Sequence, residues 1–233
     1  MRLDQFIATT SPLSRKEAKR AIHAGKVEVN GEFWKETGKH LPANAQVLLE
    51  GEQLILQGER YLMLNKPAGI VSATQDSEHP IALDLLPAEL TEVARNLHIA
   101  GRLDADTTGL LLLTTDGKWS HKVTSPKREC PKTYRVNLST PVLDSTINAL
   151  EAGVVLHQDP KPTKPAQVKV LEPQLIELTI SEGRYHQVKR MLAAAGNHVE
   201  ALHRHSIGGI VLDSALQPGD YRELSEKEIA SIG

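Results

Sequence analysis

A chain of 233 residues, 40% of them hydrophobic, can bury a sizeable core, either as one large domain or as a small module followed by a medium one. The single cysteine, Cys130, excludes an internal disulfide, and no apolar run approaches the roughly 18 residues a membrane span needs. A formal net charge of −2 argues against a nucleic-acid partner, but the charge is segregated: residues 1–26 hold six Lys/Arg against two acids, residues 118–135 six against one, and residues 27–59 two against six. Such a chain can present basic faces to a phosphate backbone while its net charge stays near zero. With no apolar signal-like stretch at the N-terminus, a soluble cytoplasmic protein is expected.

The first fifty residues read as a separate module. Ser14-Arg-Lys-Glu17 has the form of a capping box, and Ala18, Ala21 and Ile22 then recur at helical spacing. Lys16, Lys19 and Arg20 share much of the opposite face, and Gly25 is a natural stop. An earlier helix around Leu3 to Ala8 packs on this one. Val27 and Val29 begin a short strand, and Asn30-Gly31 predicts a type I′ hairpin turn. Residues 51–59, with Gly51 and Gly58, read as a hinge, which divides the chain at 1–58 and 59–233.

Tyr61 to Asn65 predicts a strand broken by Lys66-Pro67-Ala-Gly69. Asp76, Glu78 and His79 fall in an exposed loop, and Leu83 to Leu97 is a patchy helix. The chain is organised around the next stretch, Gly101-Arg-Leu-Asp-Ala-Asp-Thr-Thr-Gly-Leu-Leu-Leu-Leu113. A polar loop feeds a run of leucines, the pattern of a strand buried on both faces, and Asp116-Gly117 predicts a tight turn after it. Asp104 and Asp106 therefore sit on a rigidly backed loop, where chemistry tends to be placed. Asp104, Asp106, Thr108 and Gly109 also match positions 1, 3, 5 and 6 of a calcium loop, but position 12 is Thr115 where Glu is required. Tyr134, Val136 and Leu138 alternate as a strand. Pro141 to Gly153 predicts a helix with Ile147 and Leu150 inward. Val168 to Leu171 and Leu175 to Ile180 predict strands, and a helix from about Tyr185 carries Val188, Met191 and Leu192 on one face. His203-x-His205, with His186 and His198, lacks metal-ligand spacing, so no metal is expected.

Gly101-Arg-Leu-Asp-x-x-Thr-x-Gly-Leu-Leu-Leu resembles the signature of RNA pseudouridine synthases. Three further stretches resemble that family's motifs in order: Asn65-Lys-Pro-x-Gly69, Lys132-x-Tyr134, and Glu182-Gly-Arg-x-His-Gln-Val-Lys-x-Met191. The resemblance implies that Asp104 is the catalytic carboxylate, that Lys189 lies beside it and keeps it ionised, that Tyr134 stacks on the target base and that Val188 lies against the uracil. Arg102 and Arg184 become candidates for substrate or phosphate contact. The Lys66-Pro67 motif would support the active-site loop without being catalytic. Residues 1–50 resemble the S4 RNA-binding domain, which implies that Arg15, Lys16, Lys19, Arg20 and Lys26 meet structured RNA by shape and phosphate contacts.

The resemblance implies an α+β protein: a small S4-like module of helices and a β-hairpin, then a catalytic domain with a mixed, mainly antiparallel sheet flanked by helices. It implies an isomerisation without a cofactor. The overall match is similar to the group within the family that acts on small-subunit ribosomal RNA, free or as a partly assembled particle, with a monomeric enzyme. His186, and an acidic end at Gly233 with no basic extension, favour that group over large-subunit relatives. A transfer-RNA enzyme and a non-catalytic RNA-binding assembly factor are the alternatives.

Overall fold

The structure, a computed structural model, describes residues 1–56, 58–88, 90 and 97–233. Its described residues fall into two units, one of residues 1–59 with 88 and 90 and one of residues 60–87 and 97–233.

In the first unit, helix α1 (Leu3–Thr10) packs on α2 (Arg15–His23). The expected capping box starts α2: the Ser14 hydroxyl accepts from the Glu17 N–H, and the Glu17 carboxylate accepts from the Ser14 N–H at 2.8 Å. Gly25, at φ +71°, ends it. Strands β1 (Val27–Val29), β2 (Glu32–Phe33), β3 (Val47–Leu49) and β4 (Glu52–Leu54) form a sheet in the order β2-β1-β3-β4. Asn30 and Gly31 both have positive φ, as the hairpin turn requires. Leu3, Ile7, Ile22, Val27 and Val47 close the core between helices and sheet.

The second unit is built on a nine-stranded sheet. The strands are β5 (Tyr61–Lys66), β6 (His98–Ala100), β7 (Thr108–Thr114), β8 (Lys132–Leu138), β9 (Gln167–Glu172), β10 (Leu175–Ile180), β11 (Val199–Ile207), β12 (Ile210–Val211) and β13 (Tyr221–Glu223). The main path runs β13-β5-β7-β11-β8-β10-β9, with β6 beside β7 and β12 beside β11. Among the described pairs only β7 with β11 is parallel, so the sheet is mixed and mainly antiparallel, as expected. Helices α3 (Gly117–Thr124), α4 (Asp144–Ala152), α5 (Gln187–Ala194) and α6 (Glu226–Ala230) complete the unit.

Strand β7 is the axis. Leu110 to Leu113 are all fully buried, so both faces are covered. Its first edge pairs with β5 throughout. Its second edge is shared: β6 takes residues 112–114 and β11 takes 108–109. The loop that enters β7 therefore emerges where two other strands meet it. Gly109, at φ +99°, lies against the backbone of Arg204, and a Cβ there would run into the Arg204 carbonyl oxygen.

Three local expectations change. Asp116-Gly117 is not a tight turn; Asp116 is the N-cap of α3, its Oδ1 accepting from the N–H groups of Lys118 and Trp119, while the Tyr61 hydroxyl donates to Oδ2 at 2.9 Å. Asp-Gly serves turns and caps equally, and only the Tyr61 contact and the packing of Trp119 decide. The helix expected from Pro141 begins at Asp144, because the Val142 N–H is taken by the Pro173 carbonyl at 2.7 Å. The helix expected over Leu83 to Leu97 does not start there: Ala82–Leu85 is a 3₁₀ turn, Ala88 and Leu90 are helical, and residues 89 and 91–96 lie outside the described residues.

Candidate active site

The loop of residues 101–107 joins β6 to β7, and its backbone is fixed from three directions. The buried Lys66 ammonium donates to the carbonyls of Pro67 (2.9 Å), Ala105 (3.2 Å) and Thr107 (2.8 Å). The Gly69 N–H donates to the Ala105 carbonyl at 2.8 Å, and the Ser72 hydroxyl accepts from the Leu103 N–H at 3.1 Å. Arg204, buried on β11, donates to the carbonyls of Gly101 (2.7 Å), Arg102 (3.4 Å) and Leu110 (2.8 Å). With the backbone carbonyls held inward, the side chains of Asp104 and Asp106 are left to face outward.

Opposite them stands the start of α5. The turn before it is held by side chains: Gln187 accepts from the Arg184 N–H and donates to Glu182, both at 2.7 Å. His186 takes a left-handed conformation (φ +47°), rare for a residue with a Cβ, and its ring stacks on Tyr185 at 3.8 Å. That turn aims two nitrogens at one carboxylate. His186 Nε2 lies 3.3 Å from Asp104 Oδ1, and Lys189 Nζ lies 3.5 Å from Asp104 Oδ2. Lys189 is closer still to Asp106, 2.7 Å from both oxygens, and that hydrogen bond holds the Asp106 carboxyl below the usual range.

A cleft of about 670 Å³ opens above these groups. Tyr134 and Val188 form apolar walls, Asp104 and Lys189 lie at its edge, and Arg204 lies beneath, its guanidinium carbon 6.0 Å from the Tyr134 ring centre. Burial pulls the Lys66 ammonium down to about 8, against the pull of Asp106 and Asp104. Burial also lowers Lys132, whose ammonium donates to the Cys130 carbonyl.

The structure thus brings Asp104, Lys189, Tyr134, Val188, Arg102 and Arg184 to one cleft. Arg184, expected at the substrate, has its guanidinium committed elsewhere: it pairs with Asp159 (2.9 Å) and Glu182 (3.3 Å) and donates to the carbonyls of Lys161 and Pro162. It anchors the proline-rich loop that backs the α5 turn. In the first unit, Arg15, Lys19 and Arg2 converge on one buried carboxylate, Asp4, at 3.6, 3.8 and 3.1 Å, while Lys26 pairs with Glu50. Lys16 and Arg20 are exposed on the same helix.

Two contributors escaped the sequence reading. His186 was visible only as a motif letter. Arg204 was hidden between two histidines, although its inward register beside Leu202 marks a strand position that should be apolar. The Lys66-Pro67 motif was expected to support this loop, and the Lys66 ammonium donates to the carbonyls of Ala105 and Thr107. Among the described residues no group of three or more His, Cys, Asp or Glu is arranged to hold a metal ion.

Residues 60–194 match the RNA pseudouridylate synthase family, and residues 1–47 match the S4 domain. This chain belongs to the RNA pseudouridylate synthase family. It is 52% identical over its full length, and the relative's, to the ribosomal small subunit pseudouridine synthase A of Escherichia coli K12. It is 46% identical to the protein of that name from Haemophilus influenzae, with 100% of this chain and 99% of the relative covered. A solved pseudouridylate synthase superposes with a TM-score of 0.72 at 44% identity, covering all of both chains. The protein is an RNA pseudouridine synthase carrying an S4 RNA-binding domain, and RNA is its partner. The cleft of the second unit lies within the span of the synthase match and its immediate continuation in β11, the expected place for a pocket that must admit a base turned out of its stack.

Proposed function

We propose that this enzyme converts one uridine of small-subunit ribosomal RNA to pseudouridine, with Asp104 as the catalytic carboxylate. The names of the full-length relatives support the substrate. The observation that carries the residue is the convergence of His186 Nε2 and Lys189 Nζ on the Asp104 carboxylate beside a base-sized cleft. The two nitrogens fix the position of the carboxylate that the reaction needs. The N1–C1′ bond breaks, the uracil turns, and C5 joins C1′; the hydrogen on C5 leaves as a proton and N1 ends protonated.

Tyr134 stacks on the uracil, a contact worth about 1–3 kcal/mol, and Val188 packs on it from α5. Arg102 contacts the RNA backbone at the mouth of the cleft. Arg15, Lys16, Lys19, Arg20 and Lys26 in residues 1–58 hold structured RNA away from the reacting base. Residues 59–233 carry the chemistry. The enzyme works as a cytoplasmic monomer on free RNA or a partly assembled particle.

The test is tritium release from C5-labelled uridine in small-subunit RNA, free and as a partial ribonucleoprotein, with Asp104→Asn beside the parent. Release by the parent alone is expected. Release from large-subunit or transfer RNA instead would overturn the substrate, and undiminished release by the variant would overturn the residue.

A further inference from the structure

A second groove, of about 600 Å³, opens directly off the catalytic cleft. The two share Ser72, Ala73, Ile99, Arg102 and Thr124, so whatever leaves the cleft past Arg102 enters the groove. Of its lining residues, the proposed function assigns only Arg102. We infer that this groove seats the RNA strand beside the target, taking the phosphodiester of an adjoining nucleotide. The inference rests on the reading of the cleft as the site of an RNA uridine.

The lining chemistry selects a phosphate. Beyond the shared wall the groove presents Thr74, Gln75, His98, Ser120 and His121: hydroxyls, an amide and two imidazoles, all able to donate. No carboxylate lines it. The acids that adjoin its lining residues in sequence, Asp116 and Asp76, are committed. Asp116 caps α3 and accepts from Tyr61, and Asp76 accepts from the N–H groups of Glu78 and His79. A cationic ligand would find no counter-charge here, and an apolar one only Ala73 and Ile99. Since Asp116 already takes the first amides of α3, recognition falls on side chains and not on the helix end.

Arg102 joins the two sites. Its carbonyl is held by Arg204, which fixes its backbone, while its exposed guanidinium has no hydrogen bond or ion pair among the described residues. A buried or paired arginine would be structural; this one is anchored at the root and open at the tip. The surrounding sequence keeps the local field positive, with six basic residues against one acid over 118–135. Contacts of this kind position a strand without reading its bases.

The test places a carboxylate on each wall of the groove at exposed positions, as His121→Glu and, separately, the isosteric Gln75→Glu. The probe is an RNA fragment containing the uridine that the parent modifies, with single methylphosphonates at successive phosphates around it. Each variant is expected to bind the unmodified fragment roughly tenfold more weakly than the parent. One neutralised phosphate should weaken the parent and cost the variants nothing further, because its partner is already lost. Variants that bind as the parent does, or penalties that add at every phosphate, would overturn the groove. A parent that releases tritium while both variants bind normally removes only this inference; a parent that releases none from any RNA removes the proposed function with it.

Discussion

Lys189 reaches both oxygens of Asp106 at 2.7 Å and stands 3.5 Å from Asp104. One ammonium thus spans two carboxylates that differ in position: Asp106 is mostly exposed, and Asp104 is drawn in beside the cleft. Under the proposed assignment of Asp104, Asp106 holds the cation and is not the reacting group. Asp104→Asn should lower turnover at least about a thousandfold. Asp106→Asn should cost less than about tenfold, since it frees Lys189 to close on Asp104. Single-turnover rates on the same RNA compare the two, and equal losses would refute the division.

His186 should act through Asp104. Its left-handed backbone and its stacking on Tyr185 set the imidazole against Oδ1. Closed to a hydrogen bond in the substrate complex, this 3.3 Å contact with the carboxylate would contribute about 1.5–3 kcal/mol, so His186→Ala should lower kcat on the order of 10- to 100-fold with little change in KM. Asn tolerates the left-handed region and keeps a donor, so His186→Asn should recover part of the loss. A loss confined to KM would point to a substrate contact instead.

Arg204 serves three carbonyls with one fork, across both ends of the catalytic loop. Arg204→Met leaves them unpaired in the interior and should cost about 2–4 kcal/mol of stability. Arg204→Lys should not restore it, because an ammonium cannot match the planar fork. Urea denaturation of the three proteins measures both values.

Lys66 gives the site a pH dependence. Its ammonium has three N–H groups for three carbonyls, and burial lowers its titration from 10.5 to about 8. Below pH 8 the lysine is charged in both the folded and unfolded chains, and the burial cost is fully present. Between 8 and 10.5 the folded chain releases the proton that the unfolded chain keeps, so the contribution of Lys66 to stability rises with pH. The difference in unfolding free energy between parent and Lys66→Met should therefore shift in the parent's favour across that window. Turnover should move the other way, because the neutral amine has two donors and one loop carbonyl is released. A difference that stays flat from pH 7 to 10 would refute the titration.

Asp4 should govern the basic face of the S4 unit. Its buried carboxylate gathers Arg2, Arg15 and Lys19. Asp4→Asn leaves the charges in place and removes what orders them. RNA affinity at low salt is expected to fall several-fold, with the slope of log Kd against log salt nearly unchanged, since the number of phosphate contacts is kept. A slope reduced by one or more would mean that contacts themselves were lost.

Patterns that close within a few residues were readable from the chain alone. The four leucines of β7 specify a doubly covered strand, Ser14 and Glu17 cap each other, Asn30-Gly31 turns, and Val188, Met191 and Leu192 share a face of α5. Each rests on periodicity or on hydrogen bonds between near neighbours, which the sequence determines before any tertiary contact forms. Asp116 was ambiguous because a cap and a turn use the same short side chain, and Tyr61, far off in sequence, breaks the tie. Arg184 looked free for substrate because its partners Asp159, Lys161 and Pro162 lie in a loop without local regularity. Arg204 beneath Gly101, Lys66 beneath Ala105 and His186 beside Asp104 depend on β11 lying parallel to β7, on β5 lying antiparallel to it and on α5 facing the loop. The motifs supplied the family, but only the strand order could bring those side chains to the carbonyls and carboxylate they serve, because each pairing joins segments whose separation in the chain carries no periodic signal.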